Sequence, residues 1–357
     1  MDGVSLLGAP SALHPMTNHF AGQSLQAVSE EPPPGDEPAP ATLAPVTVSS
    51  APPPSPRREG SLVWRLGGAV RTVRPHQWVK NVFVLAPIVF AKEIYDPLLL
   101  SRAARAFVVF CLLAGAVYTI NDIADVDSDR RHPIKRFRPI ASGRVPLGLA
   151  RALAVILVVA ALGGAGVDSA AVLAVAVAYF VLNLAYSLKL KHVPYVDVAC
   201  IGAGFVLRVM AGGYATRIHV SDYLLSCTAL LAVFLGFGKR RHELAAAEGR
   251  AGAQRVVLDS YTSGGLDIAL VASGVLTIAA YLAYTVDPRT RAFFKSDWLW
   301  VSTIFVMLGV LRFLHLVRSR PSSESPTQEM LKDGSFVAIL LGWVMLVMWL
   351  VYRLRPG

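Results

Sequence analysis

The sequence predicts an all-α protein that crosses a lipid bilayer about nine times. Of its 357 residues, 54% are hydrophobic and only 16% are charged, and the mean hydropathy is +0.51. A soluble domain of this length carries more charge. Apolar runs of about 20 residues, each long enough for one helical crossing, recur along the chain. They lie near residues 82–100, 104–121, 147–166, 169–188, 196–214, 222–238, 266–286, 297–315 and 334–352.

The two ends of the chain differ in composition. Residues 1–60 contain proline tracts at 32–34 and 52–54 and few aromatic residues, which predicts a disordered tail. No charged start precedes a compact apolar core there, so no signal peptide is predicted. A single membrane domain over residues 61–357 follows. Its three cysteines lie inside predicted spans without paired spacing, which argues against a disulfide framework or a zinc site.

The net charge of +10 is explained by membrane topology rather than by nucleic-acid binding, because the basic residues cluster at the ends of apolar spans. With the amino terminus inside, the inner loops are rich in Lys and Arg and the outer loops are poor in them. This positive-inside pattern predicts an integral protein of the plasma (inner) membrane whose polar site faces the cytoplasm. The inner basic residues are Arg130, Arg131, Lys135, Arg136, Arg138, Arg144, Lys189, Lys191, Lys239, Arg240, Arg241, Arg250, Arg255, Arg318, Arg320 and Lys332.

An acidic segment directly follows the apolar run 107–120. At 100° per residue, Asp122, Asp125 and Asp129 share one helix face within about 60°, and Asp127 points away. Each ionised Asp at bilayer depth costs roughly 2.5–3.5 kcal/mol, so a convergent trio needs a water-filled mouth or a divalent metal. Mg²⁺ takes carboxylate oxygens and commonly completes its octahedron with substrate phosphates. The acidic face therefore predicts a Mg²⁺ site beside a phosphate.

Cations suited to such a phosphate follow at once. Lys135, Arg136 and Arg138 lie in a loop that Pro133 and Pro139 keep irregular. A solvated positive-inside loop also explains these cations, although it does not explain the acidic face.

A second basic set precedes the first predicted span. Lys80 and Asn81 begin that span and are placed to face a polar cavity, where Lys would act as a point charge on phosphate. Trp78 beside them is equally typical of an interfacial anchor.

An arginine inside a predicted span is a functional candidate by default, although a structural partner is an alternative. Arg208 is flanked at four residues on either side by Gly204 and Gly212, which permit close helix approach. Asp197 shares its face but lies roughly 16 Å away along the helix, so the two cannot pair.

Two further polar sets lie at the inner ends of spans. Tyr186 and Lys189 end the fourth, and Lys239, Arg240 and Glu243 follow the sixth. Cations with one acid indicate phosphate binding more than metal binding. Another positive-inside loop is the alternative for the set after the sixth span.

Together these residues resemble the UbiA superfamily of intramembrane prenyltransferases, which carry an Asn-Asp-x-x-Asp-x-x-x-Asp motif after the second of about nine helices; here it occupies residues 121–129. Within the superfamily, the branch of decaprenyl-phosphate phosphoribosyltransferases is most similar, through residues 74–81, 121–143 and 238–244. The likeness runs from about Arg71 to the carboxyl terminus. It implies a UbiA-type helical bundle and a Mg²⁺ cofactor.

One departure from the superfamily distinguishes its branches. Ordinary members place a second Asp-rich motif after the sixth helix, whereas this chain has basic residues at 239–241 followed by His242 and Glu243. The resemblance therefore implies a site for a phosphate without its own metal, such as the 5-phosphate of phosphoribosyl pyrophosphate. The implied reaction moves 5-phosphoribose to a decaprenyl-like polyprenyl phosphate.

The resemblance also implies roles for individual residues. Asp122, Asp125 and Asp129 would be catalytic and hold Mg²⁺. The implied substrate-binding residues are Lys80, Asn81, Asn121, Lys135, Arg136, Arg138, Tyr186, Lys189, Arg208, Lys239, Arg240 and Glu243.

Three alternatives stay open. A UbiA-type enzyme that moves a prenyl group from a prenyl diphosphate to an aromatic or other acceptor would share the fold and the metal. A transporter would use intramembrane charges, but these crowd at the inner helix ends rather than near the midplane. A CDP-alcohol phosphotransferase would need Asp-Gly and Ala-Arg elements among its acids, which are absent here. A homo-oligomer is compatible with all of these readings.

Overall fold

A computed structural model describes residues 61–248, 261–319, 329–330 and 332–352. The predicted disordered tail lies outside the described residues, as do Arg250, Arg255 and Arg320. Within the described ranges every regular element is helical, which confirms the predicted all-α class. A 3₁₀ segment, Pro75–Leu85, accompanies twelve α-helices. They are α1 (Leu62–Val73), α2 (Ala86–Phe90), α3 (Pro97–Ala124), α4 (Val126–Arg131), α5 (Leu147–Asp168), α6 (Ala170–Leu188), α7 (Val196–Thr216), α8 (Asp222–Glu248), α9 (Ser263–Val286), α10 (Pro288–Phe294), α11 (Ser302–Ser319) and α12 (Gly334–Tyr352).

Eight helices in the described part of the chain are long and apolar enough to cross a membrane, which confirms the polytopic architecture. They are α3, α5, α6, α7, α8, α9, α11, extended back to Leu299, and α12. Consecutive spans alternate in direction. The carboxyl ends of α3, α6 and α8 therefore face the same side as the amino ends of α5, α7 and α9.

The first predicted span, a continuous helix over 82–100, is wrong. The chain there is the 3₁₀ segment, then α2, then a turn in which Lys92 adopts φ 64°. Pro97 starts α3, and the Asp96 carboxylate caps it by accepting from two backbone N–H groups. At about 2.0 Å per residue for 3₁₀ and 1.5 Å for α-helix, the 3₁₀ segment and α2 together span about 30 Å. The combined length of the 3₁₀ segment and α2 therefore matches the thickness of the hydrocarbon core of a bilayer.

The 3₁₀ segment lies in unusually close contact with α7. A Cβ added to Gly212 would lie 1.8 Å from the backbone oxygen of Val84. Val84 is itself completely buried, and Phe83 packs edge-on against Phe205 of α7 at 4.9 Å. The predicted close approach at Gly212 is confirmed, and it brings the polar residues of the 3₁₀ segment against α7.

Two apolar cores flank the polar residues. One is built on α3, α5, α6 and α7, with Phe110 and Leu113 of α3 fully buried. The other joins α8, α9 and α11, where Phe234 and Phe313 meet at 5.0 Å. All three cysteines are free, as predicted. The cores hold the helix ends that carry the candidate site.

We expect Gly212→Ala to destabilise the protein, because the added methyl group meets backbone rather than a movable side chain. Overpacking of this kind costs about 1–3 kcal/mol. Gly163→Ala in α5 is the matched control, since a Cβ there meets nothing within 4 Å. Thermal unfolding in detergent should show a lower midpoint for Gly212→Ala only. Equal midpoints would contradict the close packing described above.

Candidate active site

The acidic end of α3 is not one straight helix. α3 ends at Ala124, Asp125 takes φ −91° and ψ 3°, and α4 begins at Val126. Asp122 and Asp129 are both 2% exposed, whereas the Asp127 side chain is 83% exposed. Two of the three predicted carboxylates therefore point inward together, and Asp127 points away as expected. Asp125, which lies between Asp122 and Asp129 in the sequence, is half-buried.

Two arginines neutralise the buried carboxylates. Nη1 of Arg138 lies 2.7 Å from Asp129 Oδ2 and 3.3 Å from Asp122 Oδ1, so one guanidinium bridges both acids. Nη2 of Arg74 donates to Asp122 Oδ1 at 2.6 Å. The Arg74 backbone is left-handed where α1 ends, and its guanidinium lies over the ring of Tyr118 at 4.8 Å. Unpaired, each buried carboxylate would be costly.

The donor chemistry here fits a hard cation. Among the described residues, no three His, Cys, Asp or Glu side chains are grouped to hold a metal ion. However, one guanidinium nitrogen, Nη1 of Arg138, already lies within 3.3 Å of a carboxylate oxygen of both Asp122 and Asp129. Carboxylate oxygens are the ligands that Mg²⁺ and similar ions take, commonly from one or two side chains.

The loop that carries Arg138 is anchored on α1. Nε of Arg144 donates to the backbone oxygen of Trp64 at 2.9 Å, and its guanidinium lies 5.2 Å from that indole ring. Lys135 and Arg136 are exposed at the tip. Of the three cations predicted in this loop, the structure brings only Arg138 to the carboxylates.

Arg208 is buried in the bundle with neutral partners. Its guanidinium donates to Asn81 Oδ1 at 2.8 Å, to the Tyr179 hydroxyl at 2.8 Å and to the Gly204 carbonyl at 2.9 Å. Asn81 is fully buried, and its amide donates to Cys111 Sγ at 3.3 Å. Arg208 and Asn81 are thus brought together, and the positive charge of Arg208 is solvated by dipoles.

Lys80 lies among other cations. Burial, together with the positive charges of Lys239, Arg208 and Arg74, lowers its pKa from 10.5 to about 8. These four cations come from well-separated parts of the sequence. Their mutual repulsion means that an anion placed among them would be strongly stabilised.

The inner end of α8 carries a buried ionic network. Arg240 Nε lies 2.5 Å from Asp197 Oδ2, and both side chains are 0% exposed. Arg240 also pairs with Glu243 and donates to the Tyr186 hydroxyl at 3.1 Å. As predicted, Asp197 does not meet Arg208. Arg240, predicted to bind phosphate, is fully buried and paired with two carboxylates.

Tyr261 completes this network from the chain just before α9. Its hydroxyl donates to Asp197 Oδ1 at 2.7 Å and accepts the Tyr195 backbone N–H at 2.6 Å. Burial and the bond to Asp197 raise the Tyr261 pKa, so the hydroxyl stays a donor. Tyr195 has φ 65° where α7 begins, a left-handed conformation that this contact holds.

The remaining predicted residues lie at the margin. Lys189 is exposed where α6 ends, and Lys239 Nζ lies 3.8 Å from Glu243 Oε1. Asn121 is half-buried, and its carbonyl accepts the Asp125 backbone N–H.

Sequence reasoning did not list Arg74, Tyr179 or Tyr261 among the site residues. Arg74 begins the 74–81 run that signalled Lys80, so its position carried a usable signal. No local pattern marks the two tyrosines, because each meets its partner only through helix packing.

An apolar chamber of about 420 Å³ lies within the helical bundle. Phe83, three residues after Lys80, lines it, and the chamber extends between α8, α9, α11 and α12 to Tyr281 and Trp343. The Tyr281 hydroxyl accepts a hydrogen bond from the Trp343 indole N–H at 2.9 Å, so these two polar groups of the chamber wall pair with each other. A chamber of this composition suits a hydrocarbon chain.

Comparisons with known proteins agree with this arrangement. The sequence model of the UbiA prenyltransferase family matches residues 82–340. A decaprenyl-phosphate phosphoribosyltransferase of Corynebacterium glutamicum is 36% identical over 290 residues, covering 80% of this chain and 87% of the relative. The protein of the same name from Mycobacterium tuberculosis is 38% identical over 283 residues, covering 78% of this chain and 92% of the relative.

Solved structures share the fold. A UbiA homolog from Archaeoglobus fulgidus bound to DMAPP and Mg²⁺ aligns with a TM-score of 0.57 and 18% identity, covering 79% of this chain and 99% of that one. A second UbiA homolog, from Aeropyrum pernix K1, aligns with a TM-score of 0.58 and 18% identity, covering 76% of this chain and 98% of that one. At this identity the likeness establishes the helical bundle.

We expect binding of inorganic pyrophosphate to weaken as pH rises from 7 to 9, because Lys80, whose pKa is about 8, loses its charge over that interval. A hydrogen bond to a charged group contributes about 1.5–3 kcal/mol, and the release of one proton around a pKa of about 8 limits the loss of affinity over this interval to about tenfold. Lys80→Arg stays charged and should remove most of this pH dependence.

Equilibrium dialysis of labelled pyrophosphate against detergent-solubilised protein would measure the effect. The probe's own titration acts equally on both proteins. Identical pH profiles for the parent chain and Lys80→Arg would exclude Lys80 as an anion contact.

Proposed function

The chain belongs to the UbiA prenyltransferase family, and on that premise we propose that it transfers 5-phosphoribose from phosphoribosyl pyrophosphate to a polyprenyl phosphate. The observation that carries the proposal is the cluster of Arg74, Lys80, Arg208 and Lys239 beside the acidic pair. A prenyl diphosphate presents one anionic group. A donor with a diphosphate and a separate 5-phosphate needs cations on more than one side.

The relatives support the same substrates. The two described above are named for phosphoribosyl transfer to decaprenyl phosphate, and each is covered over most of its length. The basic residues at the end of α8, where ordinary family members carry acids, agree with a metal-free phosphate position there.

In the proposed reaction the bond between ribose C1 and the diphosphate breaks, and a bond from a lipid phosphate oxygen to C1 forms. Pyrophosphate leaves with the bonding electron pair. The lipid phosphate is already anionic at neutral pH, so no side chain has to remove a proton from it. The task of the protein is to position both substrates and to stabilise charge.

Asp122, Asp125 and Asp129 are the proposed ligands of a divalent cation, for which we favour Mg²⁺. Such a cation would supply charge stabilisation for the leaving diphosphate. Arg138, which neutralises two of these carboxylates, would exchange them for phosphate oxygens. Asn121, Lys135 and Arg136 are proposed to assist on the donor, as are Tyr186 and Lys189.

The cation cluster is proposed to bind the diphosphate and the 5-phosphate of the donor at separate positions. Lys80 and Lys239 are proposed to contact phosphate directly. Asn81 orients Arg208, since it accepts from the guanidinium at 2.8 Å. Arg240 is proposed to act through Glu243, which it holds in place.

The lipid has a natural location in the apolar chamber. Phe83 lines the chamber and follows Lys80 by three residues, so we propose that a polyprenyl chain there presents its phosphate toward the site. The same arrangement favours an active site at the cytoplasmic face of the plasma membrane, where the basic helix ends gather.

The proposal is tested by offering labelled phosphoribosyl pyrophosphate with polyprenyl phosphate in one arm, and labelled prenyl diphosphate with aromatic acceptors in the other. We expect label to enter the lipid only from the ribosyl donor, and EDTA to stop it. Transfer only from the prenyl donor would identify an ordinary prenyltransferase.

In the same assay Asp122→Asn should lose activity on the order of 10³-fold, since charge stabilisation by a bound metal contributes several kcal/mol. Asp127→Asn, a control in the same acidic segment with an exposed side chain, should retain activity. A fully active Asp122→Asn enzyme would remove Asp122 from the mechanism.

A substitution that fills the chamber should slow transfer to the lipid and leave donor binding unchanged. Gly309 lines the chamber, and a Cβ there meets its neighbours only at 3.9–4.0 Å, so Gly309→Leu is tolerated by the backbone. We expect lipid transfer to fall about tenfold or more from overpacking, with donor binding unchanged. Gly163→Leu is the control, because a Cβ added at Gly163 meets nothing within 4 Å. Unchanged lipid kinetics in Gly309→Leu would place the lipid elsewhere.

A further inference from the structure

Tyr118 of α3 adjoins both the acidic end of that helix and the buried arginine of α7. It precedes Asp122 by four residues, about one helical turn, so the two side chains share a face of α3. The Arg74 guanidinium that donates to Asp122 lies 4.8 Å from the centroid of the Tyr118 ring. The Tyr118 hydroxyl is also close enough to Arg208 and Tyr179 to interact electrostatically with both. Tyr118 is therefore placed where the two polar regions of the bundle meet.

Tyr118 and Tyr179 each lie against an arginine, but their hydroxyl groups differ. The Tyr179 ring centroid lies 4.8 Å from the Arg208 guanidinium, and the Tyr179 hydroxyl accepts from that guanidinium at 2.8 Å. The Tyr118 hydroxyl makes no hydrogen bond with any residue that the structure describes. Tyr118 is half-buried, and its oxygen is not one of the fully enclosed polar atoms that lack a partner. The Tyr118 hydroxyl is therefore available to a ligand.

The charged neighbours of the Tyr118 hydroxyl favour an anionic ligand. Arg74 and Arg208 carry guanidinium groups, which donate hydrogen bonds and cannot accept them. Neither can take the proton of the Tyr118 hydroxyl in a hydrogen bond. Both attract anions, and a hydroxyl that donates to an ionised acceptor forms a strong hydrogen bond. A phosphate oxygen is an acceptor of this kind, and the proposed cation site at Asp122 is one turn away.

We infer that the Tyr118 hydroxyl donates a hydrogen bond to the diphosphate that leaves during the transfer. Negative charge grows on this group as its bond to ribose C1 breaks, so a fixed donor there stabilises the leaving group while the proton stays on the tyrosine. The ring supports Arg74 beside Asp122, and the hydroxyl contacts the substrate. This inference depends on the proposed function for the identity of the donor, and it makes Tyr118 a further substrate-binding residue.

Tyr118→Phe isolates the hydroxyl, because it keeps the ring against Arg74. Equilibrium dialysis of labelled pyrophosphate against the full chain in detergent should show binding weakened about tenfold, the scale of a hydrogen bond to a charged group. The thermal unfolding midpoint should stay unchanged, because the hydroxyl has no partner to lose among the described residues. Tyr118→Leu also removes the ring and should lower both the affinity and the midpoint. Tyr214→Phe, at a 47% exposed tyrosine near the carboxyl end of α7, is the matched control.

Undiminished pyrophosphate binding in Tyr118→Phe would overturn the inference. A lower unfolding midpoint in that variant, or its failure to fold, would overturn it as well, because the hydroxyl would then stabilise the protein rather than the ligand. The proposed function is judged separately. Pyrophosphate is the leaving group of a ribosyl donor and of a prenyl diphosphate alike, whereas label transfer in the unmodified chain distinguishes the two donors.

Discussion

The structure depends on one constraint: charge that enters the bundle has to be balanced by an opposite charge or solvated by dipoles inside it. At the end of α3, Arg74 and Arg138 balance two carboxylates that are 2% exposed. At the end of α8, Asp197 balances Arg240. Each pair joins elements distant in sequence, so electrostatic pairing also fixes how the helix ends meet. Removal of one partner from such a pair is strongly destabilising, because an uncompensated charge is left behind.

Against this background Arg208 is distinctive, because its three described hydrogen-bond partners are neutral. Dipoles from Asn81, Tyr179 and Gly204 stabilise the guanidinium without cancelling its charge. Burial, followed by the charges of Lys239, Arg208 and Arg74, lowers the pKa of Lys80. The bundle therefore has a balanced acidic end and an unbalanced cationic interior.

The approach of the 3₁₀ segment to α7 connects these regions. Gly212 lets the backbone of Val84 come within a distance that no side chain would allow. This contact places Asn81 against Arg208 and Phe83 at the wall of the apolar chamber. Polar site and chamber consequently share an element, which is the arrangement that a lipid phosphate with a long tail requires.

The sequence by itself determined the helical membrane class and the acidic segment, because hydropathy and helical phase are local properties, and it predicted the side of the membrane on which the basic residues lie. It also indicated Gly212, since small residues mark close helix approach. It misplaced the first crossing, where the 3₁₀ segment packed on α7 replaces a regular helix. Only the tertiary structure decided that Arg138 bridges Asp122 and Asp129, that Arg240 is buried against Asp197, and that Tyr179 and Tyr261 take part. Those contacts join residues many positions apart, and pairing across helices leaves no periodic trace in the chain.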